Sequence, residues 1–90
     1  MTYRLEIPRH VKLRLANAAV DYLKERQTLL ELLEDTEKVF STLSEFYSSV
    51  FHLPVVNDFS GYGVSNSTRV RYFIVCKDEE EAIMAKLTHF

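Results

Sequence analysis

The sequence predicts an α+β fold in which a helical hairpin and a short C-terminal helix pack against a small two- or three-stranded antiparallel sheet. Two stretches, residues 2–7 and 69–76, have the side-chain patterns of strands. The long segment between them is rich in alanine, leucine and charged residues, which favours helix. Because 90 residues suffice for one small core, we expect a single α+β domain over residues 1–90.

The first strand and the helix after it are predicted from an alternating pattern and a proline. In TYRLEI the apolar residues alternate with polar ones, as in a strand with one buried face. Pro8 ends this strand and suits the first turn of a helix. The apolar residues that follow recur at helical spacing, and we expect the first helix of the hairpin over residues 9–26.

A threonine and a glutamate mark the start of the second helix. Thr28 and Glu31 have the spacing of a capping box, which predicts a helix over residues 29–52. One unbroken helix over residues 9–52 is the alternative, because neither glycine nor proline interrupts this stretch. Such a rod would be roughly 65 Å long, and a domain this small could not cover it. Two helices are therefore favoured.

The second helix carries an apolar face that is wider than contact with one core requires. Phe46 and Val50 belong to one apolar stripe, and a second stripe beside it holds Phe40, Tyr47 and Phe51. A helix that only covers a core needs an apolar stripe a little over 100° wide. We therefore expect the second stripe to lie in an interface, with homodimer packing favoured over contact with a different partner.

Strand patterns return after residue 53, on both sides of a loop that contains both glycines. PVV at residues 54–56 is consistent with a short strand, and residues 61–65 are expected to add another through a hairpin turn. Residues 69–76 are apolar on both faces past Arg71, which predicts the central strand of the sheet. Gly61 and Gly63 precede a strand rather than a helix, so we interpret them as architectural and not as a phosphate-binding loop.

The last helix is predicted from its acidic start. Asp78 is expected to cap a helix over residues 78–88, and the three glutamates after it suit the positive end of the helix dipole. Ile83, Leu87 and Phe90 are expected to face the core.

The charge balance gives the chain no overall attraction to nucleic acid or to anionic membranes. It holds 11 basic and 13 acidic residues, for a net charge of −2. Residues 1–30 are mainly basic and residues 31–58 mainly acidic, which is typical of two solvated surfaces of opposite sign. No apolar run is long enough to predict a membrane span, and no signal-peptide pattern opens the chain. Together with the lone Cys76, this predicts a cytoplasmic protein that does not bind membranes.

No residue pattern predicts an enzyme, a metal site or a cofactor. The three histidines are far apart in sequence, and Cys76 has no second cysteine with which to share a metal. The chain offers no set of nucleophile, base and acid from which a reaction could be built. We therefore expect a non-catalytic protein without cofactors.

The N-terminal third resembles the ribbon-helix-helix repressors in the order of its elements. Within residues 2–33 a short strand is followed by a proline-led helix and by a second helix with a threonine cap, although the glycine usual between those helices is absent. In that family two chains pair their strands and lay the ribbon in the major groove. The resemblance implies that Thr2, Arg4 and Glu6 would read bases and that the backbone N–H groups of residues 28–30 would bind phosphate.

These patterns favour a small regulatory or inhibitory protein that acts through protein–protein contacts as a homo-oligomer, for example a viral (phage-type) accessory protein directed against host machinery. Its expected partners are a second copy and an unidentified protein. The residues expected at the protein interface are Phe40, Tyr47, Phe51, Phe59 and Tyr62, with an acidic patch of Glu34, Asp35 and Glu37. Two alternatives stay open: a DNA-binding repressor, and a protein that binds a nucleotide-like small ligand between subunits. The residues that the DNA-binding alternative would use are Arg4, Arg9, Lys12 and Arg14.

Overall fold

A computed structural model of the protein describes residues 2–58 and 70–90. In these ranges the strands are β1 (Tyr3–Glu6), β2 (Val55–Asp58) and β3 (Arg71–Cys76). The helices there are α1 (Arg9–Arg14), α2 (Ala16–Arg26), α3 (Leu29–Glu34), α4 (Thr36–Phe51) and α5 (Glu79–His89). The predicted α+β class with a small antiparallel sheet is confirmed. None of the helices described is both long and apolar enough to cross a membrane.

β3 is the middle strand of the sheet, with β1 and β2 antiparallel on its two sides. Leu5 of β1 and Val55 of β2 both lie opposite Ile74. The prediction that residues 69–76 form the central strand beside the first strand is therefore confirmed. β2 overlaps the short strand expected at residues 54–56, whereas the further strand expected at residues 61–65 lies outside the described residues.

The two faces of the sheet have different environments. The residues of β3 that face the helices are buried, namely Tyr72, Ile74 and Cys76. Phe73 lies on the outer face and is half-buried. Arg71 donates a hydrogen bond to Glu6 of β1 at 2.6 Å, and its guanidinium carbon lies 5.1 Å from the centroid of the Phe73 ring. The outer face thus combines apolar side chains with charges of both signs.

The first half of the helical region ends where the sequence predicts. Leu15, whose backbone (φ −94°, ψ 0°) departs from helical geometry, separates α1 from α2, which corrects the single helix expected over residues 9–26. Gln27 is extended and ends α2. Thr28 then caps α3 through both halves of the predicted capping box: its hydroxyl accepts the Glu31 N–H, and the Glu31 carboxylate accepts the Thr28 N–H. The boundary between the two helices of the hairpin is confirmed.

The second helix of the hairpin is split at Asp35, which corrects the unbroken helix expected over residues 29–52. Asp35 has φ −115° and ψ 83°, and its carboxylate accepts the Lys38 N–H at 3.0 Å. A short carboxylate competes for backbone N–H groups and is more favourable at a cap than inside a helix, so Asp35 ends α3 and begins α4. α4 ends at Phe51, and His52 follows with a left-handed backbone (φ 58°).

α5 packs over β1 and β3 through its alanines. Ala82 and Ala85 are buried, whereas Ile83 and Leu87 are 50% and 77% exposed. The prediction that Ile83 and Leu87 face the core is therefore wrong. The small alanine side chains let the helix backbone lie close to the sheet, and the larger residues are left on the outside. Phe90 does pack partly against the core, as expected.

Candidate interaction surfaces

Both apolar stripes of α4 are used within the chain. Tyr47 and Phe51 of the second stripe are 5% and 2% exposed. α4 packs against α2 and α3 and against β2, so more than one of its faces is covered by the same chain. Tyr47 and Phe51 consequently offer no surface to a partner, which corrects their assignment to an interface. Phe40 of the same stripe is half-buried, and Phe59 and Tyr62 lie outside the described residues.

α3 instead presents the most exposed group of apolar side chains. Leu29, Leu30 and Leu33 are 73%, 62% and 74% exposed, and no residue of α3 is buried. Because successive helical residues are about 100° apart, these three leucines share one side of the helix. We call them the leucine surface. The run LLELLE is the signal that sequence reasoning missed, because its four leucines span about 160° of the helix, wider than the stripe of a little over 100° that faces a core.

The charge beside the leucine surface is negative. Glu34 and Glu37 of the expected acidic patch are exposed, and the described residues include no ion-pair partner for either. Asp35, the third member, is engaged as the cap of α4. Lys38 is engaged by Glu31, an ion pair that lowers the pKa of the Glu31 carboxyl and raises the pKa of the lysine. Glu34 and Glu37 are therefore the carboxylates of the expected patch that neither cap a helix nor form an ion pair within the described residues.

A second exposed apolar group lies on α5. Ile83, Met84 and Leu87 are at least half exposed, and we call these three residues the α5 face. Ile83 lines a shallow cleft together with Tyr3 of the edge strand β1, and Tyr3 is itself 45% exposed. Glu79 and Lys86 line the same cleft. The α5 face and the edge of the sheet thus form one continuous surface.

The basic residues of the N-terminal third are not gathered on one surface. Arg4 lies on the outer face of the sheet, opposite Val75. Arg14 donates instead to the backbone carbonyl of His89 at the end of α5, on the helical side of the sheet. Arg9 is exposed at the start of α1 and Lys12 is half-buried on the same helix. A duplex could not touch Arg4 and Arg14 through a single flat contact.

The charges near Arg4 also reduce its positive field. Glu6 lies on the same outer face, and its pKa is lowered first by the hydrogen bond from Arg71 and then by the nearby charges of Arg71 and Lys12. At the start of α3, where the ribbon-helix-helix resemblance places a phosphate, the Thr28 N–H already donates to the Glu31 carboxylate at 3.3 Å. A phosphate at that position would meet a negative charge.

The described residues offer few groups for chemistry. Cys76 is fully buried, and this burial, followed by the nearby Glu81 and Asp78, raises the pKa of its thiol. A buried thiol with a raised pKa is a poor nucleophile. Within residues 2–58 and 70–90 no group of three or more His, Cys, Asp and Glu side chains could hold a metal ion.

The small-ligand alternative would need a pocket, and the tyrosines described do not form one within the chain. Tyr47 is in the core, and the Tyr22 ring packs between Phe46 and the Arg26 guanidinium, 3.5 Å from its centroid. The concavities among these residues are shallow, and one of them lies between α4 and β2 beside Ser44 and Ser48. They lack the enclosed apolar walls and converging polar groups of a typical ligand site.

The chain matches no protein-family model, no curated protein and no solved structure.

Proposed function

We propose that the protein is a non-catalytic regulatory or inhibitory protein and that it binds another protein through the leucine surface. The observation that carries this proposal is the exposure of Leu29, Leu30 and Leu33, each 62% or more, on one side of a six-residue helix. Single exposed leucines are ordinary, but adjacent ones form the kind of apolar area that marks protein interaction sites. A partner that covers them gains roughly 25 cal/mol for each Å² removed from water.

The charge beside the leucine surface narrows the class of partner. No basic residue occurs between positions 29 and 37, and Glu34 and Glu37 are exposed there. A partner that buries the leucines therefore brings its own apolar side chains next to two carboxylates. An amphipathic helix with leucine-like residues on one face and lysine or arginine at the margins meets both requirements.

The DNA-binding alternative receives less support from the geometry. Arg4 shares the outer face of the sheet with Glu6, and Arg14 donates to the backbone carbonyl of His89 at the end of α5. Affinity for DNA comes mainly from several cations that neutralise phosphates together. The ligand-binding alternative is less supported for the reason given above, since the described concavities are shallow.

The experiment that tests the proposal is affinity capture from native cell extract, with and without nuclease, using three forms of the protein. These are the wild type, the double variant Leu30→Ser and Leu33→Ser, and the matched control Leu13→Ser, which changes a leucine that is 64% exposed on α1. Circular dichroism checks that all three are equally folded. A synthetic helical peptide of leucine and lysine, with leucines at i, i+3, i+4 and i+7, serves as competitor.

We expect one protein to be retained by the wild type and by Leu13→Ser after nuclease treatment, to be lost from the double variant, and to be displaced by the competitor. Retention by the double variant would contradict the proposal. Loss of all captured protein on nuclease treatment would contradict it too, and would direct attention to the DNA-binding alternative.

A further inference from the structure

Within the described residues, β1 is an edge strand whose outer backbone groups meet no other strand. The Ile7 N–H donates to the Tyr72 carbonyl at 2.9 Å, so residues 7 and 72 form a hydrogen-bonded pair of the β1–β3 ladder. Bonded and non-bonded pairs alternate along an antiparallel ladder. Leu5 therefore also bonds to β3, whereas Arg4 and Glu6 turn their N–H and C=O groups away from it. Among the described residues no strand lies on that side, and the edge can accept one more antiparallel strand.

A second copy of β1 is complementary to this edge in charge. Arg4 and Glu6 lie on the outer face of the sheet, one residue before and one after Leu5. If two β1 strands pair antiparallel about a two-fold axis at Leu5, Arg4 of each copy lies directly opposite Glu6 of the other. Opposite charges at directly opposed positions stabilise a strand pair, and like charges destabilise it. An axis at Arg4 or at Glu6 would oppose two like charges, so the charges select the register centred on Leu5.

The α5 face lies beside the same edge. α5 packs over β1 and β3, and its residue Ile83 shares the cleft with Tyr3. A two-fold axis next to β1 and perpendicular to the sheet places the two α5 helices side by side and antiparallel. Neighbouring strands are about 4.8 Å apart and packed helices about 8–10 Å apart, so both contacts fit one axis. Ile83 and, one turn on, Leu87 would then lie against their counterparts, whereas Met84 lies about 100° further round the helix, beside Glu80 and Glu81.

The charges along α5 are also self-complementary. Glu79 and Lys86 are seven residues apart, about two helical turns, and both line the cleft, so they lie on one side of α5. In an antiparallel pair of identical helices, the side of α5 that holds Glu79 and Lys86 faces the same side of the other α5, which runs in the opposite direction. Glu79 of each copy then lies next to Lys86 of the other.

We propose that two copies of the chain associate about this axis, through paired β1 strands and paired α5 faces. The three strands of each copy would form one continuous six-stranded sheet. The occupant of the α5 face is thus a second copy of the chain. The leucine surface takes no part in this contact, and a dimer would carry two leucine surfaces for a partner protein.

The test is sedimentation equilibrium of the purified full chain over a concentration series. The first variant pair, Ile83→Ser with Leu87→Ser, removes apolar side chains from the α5 face. Its matched control is Leu30→Ser with Leu33→Ser on the leucine surface. A charge-reversal series then uses Glu79→Lys, Lys86→Glu and the two together, because only the combined change restores opposite charges across the axis.

We expect the wild type to dimerise, and the dissociation constant to rise by at least about tenfold in Ile83→Ser with Leu87→Ser while the control on the leucine surface leaves it unchanged. Each single charge reversal should weaken the dimer, and the combined reversal should restore it. A wild type that stays monomeric up to about 1 mM, the weak limit of specific affinity, overturns the inference. A dissociation constant that does not respond to the α5 changes overturns the inference as well. So does a dimer of the combined charge-reversal variant that is weaker than the dimers of both single variants.

Discussion

Tyr47 of α4 meets Tyr72 of β3 edge to face, with the ring centroids 5.0 Å apart. Tyr47 also contacts Phe46 and Phe51, at centroid distances of 5.4 and 6.2 Å. These aromatic residues therefore join α4 to the sheet. Aromatic pairs of this kind stabilise beyond the area that they bury, by about 0.5–1.5 kcal/mol each.

This contact predicts that the fold loses stability at alkaline pH. Burial raises the pKa of Tyr72 above its ordinary value of 10.0, with a further contribution from Tyr47, whose own pKa is raised by burial. Both tyrosines therefore ionise at a higher pH in the folded chain than in the unfolded chain, where they ionise above about pH 10. The free energy of unfolding is thus unaffected by these groups below pH 10 and falls above it, by up to about 1.4 kcal/mol per pH unit for each tyrosine.

The measurement is urea unfolding of the wild type and of Tyr72→Phe between pH 8 and the alkaline limit. The Tyr72 hydroxyl is buried without a hydrogen-bond partner in the described part of the chain, so its removal should leave stability at pH 8 unchanged or higher. The alkaline decline should be shallower in the variant. An identical decline in both proteins would show that Tyr72 does not titrate with unfolding.

A buried amide predicts a stabilising substitution. Gln27 is 6% exposed, and neither its Nε2 nor its Oε1 has a hydrogen-bond partner among the described residues. Burial of an unsatisfied polar group costs about 1–3 kcal/mol. We expect Gln27→Met, of similar length and apolar, to raise the free energy of unfolding by about 1 kcal/mol. Thermal denaturation measures this, with Gln27→Glu as a control that should destabilise. A loss of stability in Gln27→Met would mean that the amide is bonded to water.

The parts of the fold that the sequence predicts correctly are those set by local chemistry. The capping box at Thr28 needs only two side chains and the adjacent backbone, and it is confirmed. The central strand is predicted because residues 72–75 are β-branched or aromatic on both faces. The break at Asp35 was not predicted, because the same residue type is tolerated within a helix or used as a cap, and the outcome depends on how α3 and α4 pack.

The interaction surfaces could not be predicted because they depend on which side of each helix meets the sheet. The wide apolar face of α4 indicates an interface only if the chain has too little core to cover it, and the structure shows that α2 and the sheet are sufficient. On α5 either the alanines or the larger residues could have faced inward. The alanines do so because the helix approaches the sheet closely, which is a tertiary property.

The acidic residues near α3 predict a separation of stability from binding. Asp35 caps α4, so Asp35→Ala should lower the free energy of unfolding by about 1 kcal/mol, and Asp35→Asn, which keeps the cap, should lower it far less. Glu34→Gln with Glu37→Gln should leave stability nearly unchanged and weaken the binding of the basic partner. Chemical denaturation measures the stability of the wild type and of these three variants, and affinity capture measures how well each of them binds the partner. If the double glutamine variant binds the partner as tightly as the wild type does, the two carboxylates do not contribute to binding.

The orientation of α5 predicts that a leucine is tolerated at position 84 and not at position 82. Ala82 is 3% exposed and lies against the sheet, so Ala82→Leu should lower the free energy of unfolding by about 1–3 kcal/mol through overpacking. Met84, two residues on, is 58% exposed, and Met84→Leu should change stability by no more than about 0.5 kcal/mol. Urea unfolding of both variants, at concentrations where the wild type is monomeric, separates this effect from self-association. If Ala82→Leu proves as stable as the wild type, α5 does not lie close to the sheet through its alanines, and the α5 face would have to be assigned to other residues.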